Sequence, residues 1–237
     1  MSKFFSFLSG AVFFSLFLMS CDKESSVENG LLPGSANNNG GGNNNPAVCK
    51  SCSYLPWCNG SVYNYQNISS TGTTTETNTF NILADTTIAG VVYSKTDIDG
   101  SGDYVYHNCT NGNSTMIIYN VLPGTTTLSE FKTTALKAND PVGTTWTDTY
   151  NYNGSNIDYN YTIIAKSVPR TVLGVNYPDV IKVHVIISTT VPVVGTVVAS
   201  ESDEYYARNV GLIESIEYDG ATGAMLEHRS LQSYQIP

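Results

Sequence analysis

The side chains best equipped for chemistry here are the cysteines Cys49, Cys52, Cys58 and Cys109. An even set of four in an exported chain reads as two disulfides, with three connectivities open to it. The favoured pairing is Cys49 with Cys58 and Cys52 with Cys109, because a bridge that reaches Cys109 ties an N-terminal lasso onto the body of the domain. Two sharper chemistries compete: a redox pair in Cys49-Lys50-Ser51-Cys52, and a four-thiolate zinc site. A redox thiol belongs at a helix N-terminus after a strand, where the dipole lowers its pKa, whereas this pair follows a stretch of Asn, Gly, Ser and Pro. Haem attachment needs a His directly after the second Cys, and Ser53 stands there.

Oxygen ligands are spaced suggestively in Asp97-Ile98-Asp99-Gly100-Ser101-Gly102-Asp103, where Asp97, Asp99, Ser101 and Asp103 occupy the first alternate positions of a calcium loop. The pattern then breaks, because Asn108 stands where the bidentate Glu belongs, so an Asp/Gly turn is the competing reading and no metal is expected. His107, His184 and His228 are too far apart to share a metal by spacing, and no nucleophile or phosphate-loop motif is present, so no catalytic residue or cofactor is assigned. The acidic pairs Asp203/Glu204 and Glu214/Glu217 have odd separations, which puts the members on opposite faces of a strand. Aromatic rings are the larger surplus. Trp57 sits among the cysteines, while Trp146, Tyr150, Tyr152, Tyr159 and Tyr161 line an expected hairpin, giving candidate ligand-facing rings whose bland alternative is core filling.

These residues require strands to position them. Charged residues are only 13% of the 237, against about 25% in ordinary domains, and Thr, Asn, Ser, Gly and Tyr fill the gap. Alternation is plain in Ile181, Val183, Val185 and Ile187, with Lys182 and His184 between them. Asn111-Gly112, Asn153-Gly154 and Asp219-Gly220 each separate two such runs, as two-residue hairpins require. The expected fold is therefore mainly all-β, an antiparallel curved sheet or half-barrel meander. One short helix is expected over 127–138, where Leu128, Phe131, Ala135 and Leu136 fall at helical spacing before Asp140-Pro141. An internal echo is present: Ile88-Ala89-Gly90-Val91-Val92-Tyr93 resembles Val172-Leu173-Gly174-Val175-Asn176-Tyr177. Gly60-Ser61-Val62-Tyr63 likewise precedes the first copy as Gly143-Thr144-Thr145-Trp146 precedes the second.

The N-terminus carries an address. Residues 1–20 run from Lys3 through an apolar stretch to Leu18-Met19-Ser20-Cys21, which resembles the bacterial lipobox and marks Cys21 for lipidation, with acyl chains such as palmitate. Lipid on Cys21 anchors the chain to a membrane without spanning it. Asp22 beside the lipidated Cys resembles both the retention signal of proteobacterial lipoproteins and the acidic surface-export signal of Bacteroidota lipoproteins, and the second fits better. Residues 21–47 are otherwise Asn, Gly, Ser and Pro, a tether with a reach of about 30 Å. The remainder, 48–237, is enough for a single β-rich domain. With 20 acidic against 11 basic residues and no basic cluster, nucleic acid is excluded as a general partner.

Cys52-Ser53-Tyr54-Leu55-Pro56-Trp57-Cys58, Gly143-Thr144-Thr145-Trp146 and Tyr205-Tyr206-Ala207-Arg208-Asn209-Val210-Gly211-Leu212-Ile213 together resemble a family of Bacteroidota lipoproteins with no assigned reaction. The C-terminal part is similar to domains of unknown function with a LolA-like or lipocalin-like curved sheet. The resemblance implies a fold and an outer-membrane location, periplasmic or surface-exposed, but no chemistry. The functional expectation is a non-catalytic cell-envelope lipoprotein that binds an apolar or glycan ligand. The alternative is a structural subunit docking an envelope protein partner, and an extracellular hydrolase ranks last.

Overall fold

Runs of Thr, Val, Ile and Tyr that alternate with polar residues leave one buried face per segment, and the backbone is satisfied only by neighbouring strands. The computed structural model describes residues 49–100, 104–121, 128–152, 155–191 and 193–237, so the leader, the lipidation site Cys21 and the tether lie outside the described residues. Its strands are β1 (Cys49–Cys52), β2 (Leu55–Cys58), β3 (Ser61–Ser69), β4 (Gly72–Ile88), β5 (Val91–Ile98), β6 (Tyr104–Thr110) and β7 (Asn113–Val121). They continue as β8 (Leu128–Lys137), β9 (Thr145–Tyr152), β10 (Ser155–Val172), β11 (Val175–Val191), β12 (Gly195–Ala207), β13 (Gly211–Asp219) and β14 (Met225–Gln235). β1 and β2 form a hairpin of their own. The rest make a 12-stranded antiparallel sheet in the order β8-β7-β6-β5-β4-β3-β14-β13-β12-β11-β10-β9, which curls into a nearly closed barrel.

The alternation read in the sequence is realised on β11, where Ile181, Val183 and Val185 are buried between half-buried Lys182 and His184. Asn111-Gly112 is the two-residue turn joining β6 to β7, with φ of 53° and 78°. Only glycine serves at the second position: a Cβ on Gly112 would stand 2.6 Å from Cγ of Asn139, which itself donates to the Asn111 carbonyl. Asn153-Gly154 lies outside the described residues, although β9 and β10 pair as expected on either side of it.

Two expectations are corrected. Residues 127–138 form no helix; the described part is strand β8, paired with β7. The apolar spacing there fits a bulged strand equally well: Phe131, Thr133 and Ala135 are buried and Lys132 is exposed, and Ala135 is the extra residue at a register shift, so Leu136 also turns inward. The waiting edge of β7 supplies the backbone bonds that a helix would have made for itself. Asp219-Gly220 is likewise not a two-residue hairpin. Asp219 Oδ1 accepts from the backbone N–H of Ala221 and Thr222 and from the Thr222 hydroxyl, building a longer loop over 220–224 in which Gly223 takes the positive φ.

The internal echo is a repeat of register. β3 to β8 and β9 to β14 are consecutive six-stranded meanders. Val62 pairs with Thr79 as Thr145 pairs with Thr162, and Gly60 N–H donates to the Phe80 carbonyl as Gly143 N–H donates to that of Ile163, each at 2.8 Å. All these positions are related by one constant shift along the chain. The turns Ala89-Gly90 and Leu173-Gly174, with φ of 48°/79° and 46°/84°, are offset by one residue more, and the irregular register of β10 absorbs it.

Candidate functional site

The concave face of the sheet encloses a partly open cavity of about 190 Å³. Its apolar wall comes from β5 to β8, with Ile98, Val105, Met116, Ile118 and Ala135. Leu55, Pro56 and Trp57 of the β1–β2 hairpin form a floor, at the end of the barrel that also carries the β6–β7 and β12–β13 turns.

Several attachments hold that floor, among them the Asn209 N–H, which donates to the Ser53 carbonyl at 2.5 Å. Cys52 is disulfide-bonded to Cys109 on β6, the pairing favoured from sequence. Cys58 is also disulfide-bonded, and Cys49 is its register partner in the hairpin; the Cys49 side chain lies outside the described residues. The Trp57 ring stacks on His107 at 4.4 Å and tilts against Phe80 at 4.7 Å. The Tyr54 hydroxyl donates to Asp179 Oδ1 at 2.7 Å and accepts from Arg208, whose guanidinium also pairs with Asp179. These donors hold the Asp179 carboxyl below the usual carboxylate range.

The opposite wall is polar. Ser202 and Glu204 on β12, Ser215 and Glu217 on β13, and Arg229 on β14 face the cavity, and Glu227 stands beside Arg229 and Glu217. Arg229 Nη2 pairs with Glu76 Oε1 at 2.9 Å, and its guanidinium lies 4.0 Å from the centre of the Tyr65 ring. The odd separations noted in the sequence have their predicted effect. Glu204 and Glu217 face inward, while Asp203 binds Lys182 and His184 outside, and Glu214 accepts from Arg170 and pairs with His228. Sequence reasoning could place each pair on two faces, but not show that one member of each would meet across β12 and β13.

Burial holds the Glu204 carboxyl at about 7, with the charge of Glu217 adding to the effect, and Tyr206 donates to Glu204 Oε2 at 2.5 Å. Burial pushes Glu217 and Glu227 up as well. The folded state therefore keeps its Glu204 proton to a higher pH than the unfolded chain, so this group favours folding below its unfolded pKa and the contribution is lost as pH rises through 7. Wild type is expected to lose on the order of 3 kcal/mol through Glu204 between pH 4.5 and 8. Glu204→Gln should flatten that slope and be the more stable form at pH 8, as urea titrations at the two pH values would read.

Among the ring candidates, Trp57, Tyr159 and Tyr161 line the cavity. Trp146 and Tyr150 are buried in the adjoining core, where Trp146 stacks on Tyr161 at 5.0 Å and Tyr150 meets Phe131 edge-on at 5.3 Å. The Tyr152 side chain lies outside the described residues. Tyr63 and Tyr65, which cluster with Trp57 near the cysteines in the sequence, line the cavity as well. Sequence reasoning missed Phe80 and Tyr206 as lining residues and His107 as the partner of Trp57.

Of the calcium candidates, Ser101 and Asp103 lie outside the described residues. Asp97 lies within β5, paired with Asn81, and Asp99, with φ of 60°, accepts from the Thr79 N–H, which is turn chemistry. Among the described residues no three His, Cys, Asp or Glu side chains converge on a point suited to a metal ion.

The chain resembles two solved structures. One is a proposed lipoprotein from Parabacteroides distasonis, at 15% identity and a TM-score of 0.46, covering 77% of this chain and 98% of that one. The other is a proposed exported protein with a YmcC-like fold from Bacteroides fragilis, at 11% identity and a TM-score of 0.45, with the same coverage. No protein-family model and no curated protein matches the chain.

Proposed function

We propose that the chain is a lipid-anchored envelope protein of the outer membrane, held on Cys21 by its tether, whose barrel binds an apolar molecule without transforming it. The observation that carries the binding role is the cavity. Protein interiors are close-packed, so a partly open concavity of about 190 Å³ with an apolar wall is space that an occupant of the right shape would fill with gain of apolar burial. The lipobox at Leu18-Met19-Ser20-Cys21 supports the anchor, and Asp22 supports outer-membrane or surface sorting.

Native mass spectrometry of the full-length protein, extracted from its membrane in mild detergent, tests both halves. The expected spectrum shows acyl chains on the mature N-terminal Cys21 and a retained small molecule that leaves on unfolding. A bare domain that also refuses added alkanols would remove the binding role, and Cys21→Ala should abolish the acyl mass and leave the leader in place. The second reading, a structural subunit, is favoured by one feature: Val193 and Val194 are fully and largely exposed at the tip between β11 and β12. Val193→Ser with Val194→Ser should leave ligand retention intact, whereas loss of a cross-linked envelope partner in that variant would move the assignment to assembly.

A further inference from the structure

We propose that the cavity selects an apolar molecule bearing a primary ammonium group, a specificity that rests on the apolar-ligand reading above and narrows it. The two walls are unlike in kind. β5 to β8 offer only apolar side chains, while β12 and β13 present the carboxyl groups of Glu204 and Glu217, with Glu227 of β14 beside them. Among the described residues lining the cavity the cation is Arg229, which is committed to Glu76 and to the face of Tyr65. The wall thus carries more negative than positive groups in a place where burying an uncompensated carboxylate is costly.

A second observation points the same way. Asn78, 5% exposed, shares the inner face of β4 with Phe80; its Nδ2 donates to Glu76, and its Oδ1 has no hydrogen-bond partner. Oε1 of Glu217 is also unpartnered. Both are acceptors on the cavity lining, while the unpartnered Trp57 Nε1 donor belongs to the floor. Buried acceptors are costly to leave unsatisfied, and an ammonium supplies three N–H donors together with the missing positive charge. A carboxylate ligand would be repelled, a purely apolar one would leave the acceptors orphaned, and an alcohol would bring one donor and no charge. The volume equals roughly six waters in the liquid, which sets the scale of the tail at a short alkyl chain.

The probes are hexylammonium, 1-hexanol and hexanoate, titrated calorimetrically into the lipidated full-length protein in nanodiscs with empty discs as blank. At pH 8, hexylammonium should bind at least tenfold more tightly than hexanol, and hexanoate more weakly than either. The advantage should shrink as pH falls from 8 to 5, because the groups around the binding position are Glu204, Glu217 and Glu227, with Arg229, Glu76, Tyr65, Tyr159, Tyr161 and Tyr206 packed around them, and Glu204, which burial holds at about 7, gains its proton over that range. Glu204→Gln with Glu217→Gln should bring the amine to within about threefold of the alcohol; should that variant fail to fold, the wild-type pH series decides. Hexanol or hexanoate binding as well as the amine would overturn the ammonium assignment and leave the apolar pocket standing. Refusal of all three would overturn both.

Discussion

Trp146→Ala is expected to lower the unfolding free energy by about 3–5 kcal/mol, the range for removing a large buried ring. The size of the effect follows from where the ring sits. β8 and β9 are the two ends of the sheet order and share no backbone ladder, so side chains must close the barrel there. Trp146 Nε1 donates to the Thr134 carbonyl across the seam at 2.7 Å. Asp148, two residues on and on the same face, accepts from the Thr134 N–H at 2.6 Å and from the Thr133 hydroxyl at 2.9 Å. Thr133 Oγ1 is also 2.8 Å from the Tyr161 hydroxyl, and with its own proton directed to Asp148 it accepts from Tyr161. The Trp146 ring lies nearly parallel to Tyr161, at 6°, and Lys137 Nζ stands 5.3 Å from its centre. Truncation removes the stack and leaves a half-buried carbonyl without its donor. Trp146→Phe keeps an aromatic ring but loses the N–H and three of the nine indole ring atoms, so a smaller loss of about 2 kcal/mol is expected. Guanidinium titrations of both variants, with hydrogen exchange at the β8 and β9 amides, check the argument. Equal losses in the two variants would mean that the indole N–H, and not ring burial, holds the seam.

That seam marks the boundary of what was legible from residues alone. Strand character was readable because many inner faces are written in alternation, as in Tyr63 and Tyr65 or Ile181, Val183 and Val185, and because Asn111-Gly112 encodes its own turn. The repeat was readable too, since Gly60-Ser61-Val62-Tyr63 and Gly143-Thr144-Thr145-Trp146 open equivalent strands with equivalent register. What could not be read was closure. Whether Thr127 to Ala138 forms a helix or a last strand depends on a partner edge far away in sequence, and four apolar residues fit either period once a bulge is allowed. The polar wall was hidden for the same reason. Glu204, Glu217 and Arg229 come from three strands, and nothing local distinguishes an inward carboxylate from Asp203 or Glu214, which are outward neighbours with ordinary ion-pair partners. The aromatic surplus was divided between roles that composition cannot separate: Trp57, Tyr159 and Tyr161 border the cavity, and Trp146 and Tyr150 fill core.

Replacing both Cys52 and Cys109 by Ala should cost about 4 kcal/mol, because the bridge joins positions 57 residues apart and so removes much loop entropy from the unfolded chain. The loss should be unevenly distributed. Without the bridge, β1 and β2 remain attached through Tyr54 to Asp179 and Arg208, through the Trp57 stack on His107 and through the Asn209 N–H to the Ser53 carbonyl, yet the hairpin has no ladder to the main sheet. It is therefore the part with least to lose before it opens, and its opening takes the cavity floor of Leu55, Pro56 and Trp57 with it. Two observables separate local from global effects. Amides of β1 and β2 should exchange far faster in the variant than those of β10 and β11, and Trp57 emission should shift to the red below the global unfolding midpoint. If exchange rises uniformly across the sheet instead, the hairpin unfolds only together with the barrel, and the floor is as permanent as the walls.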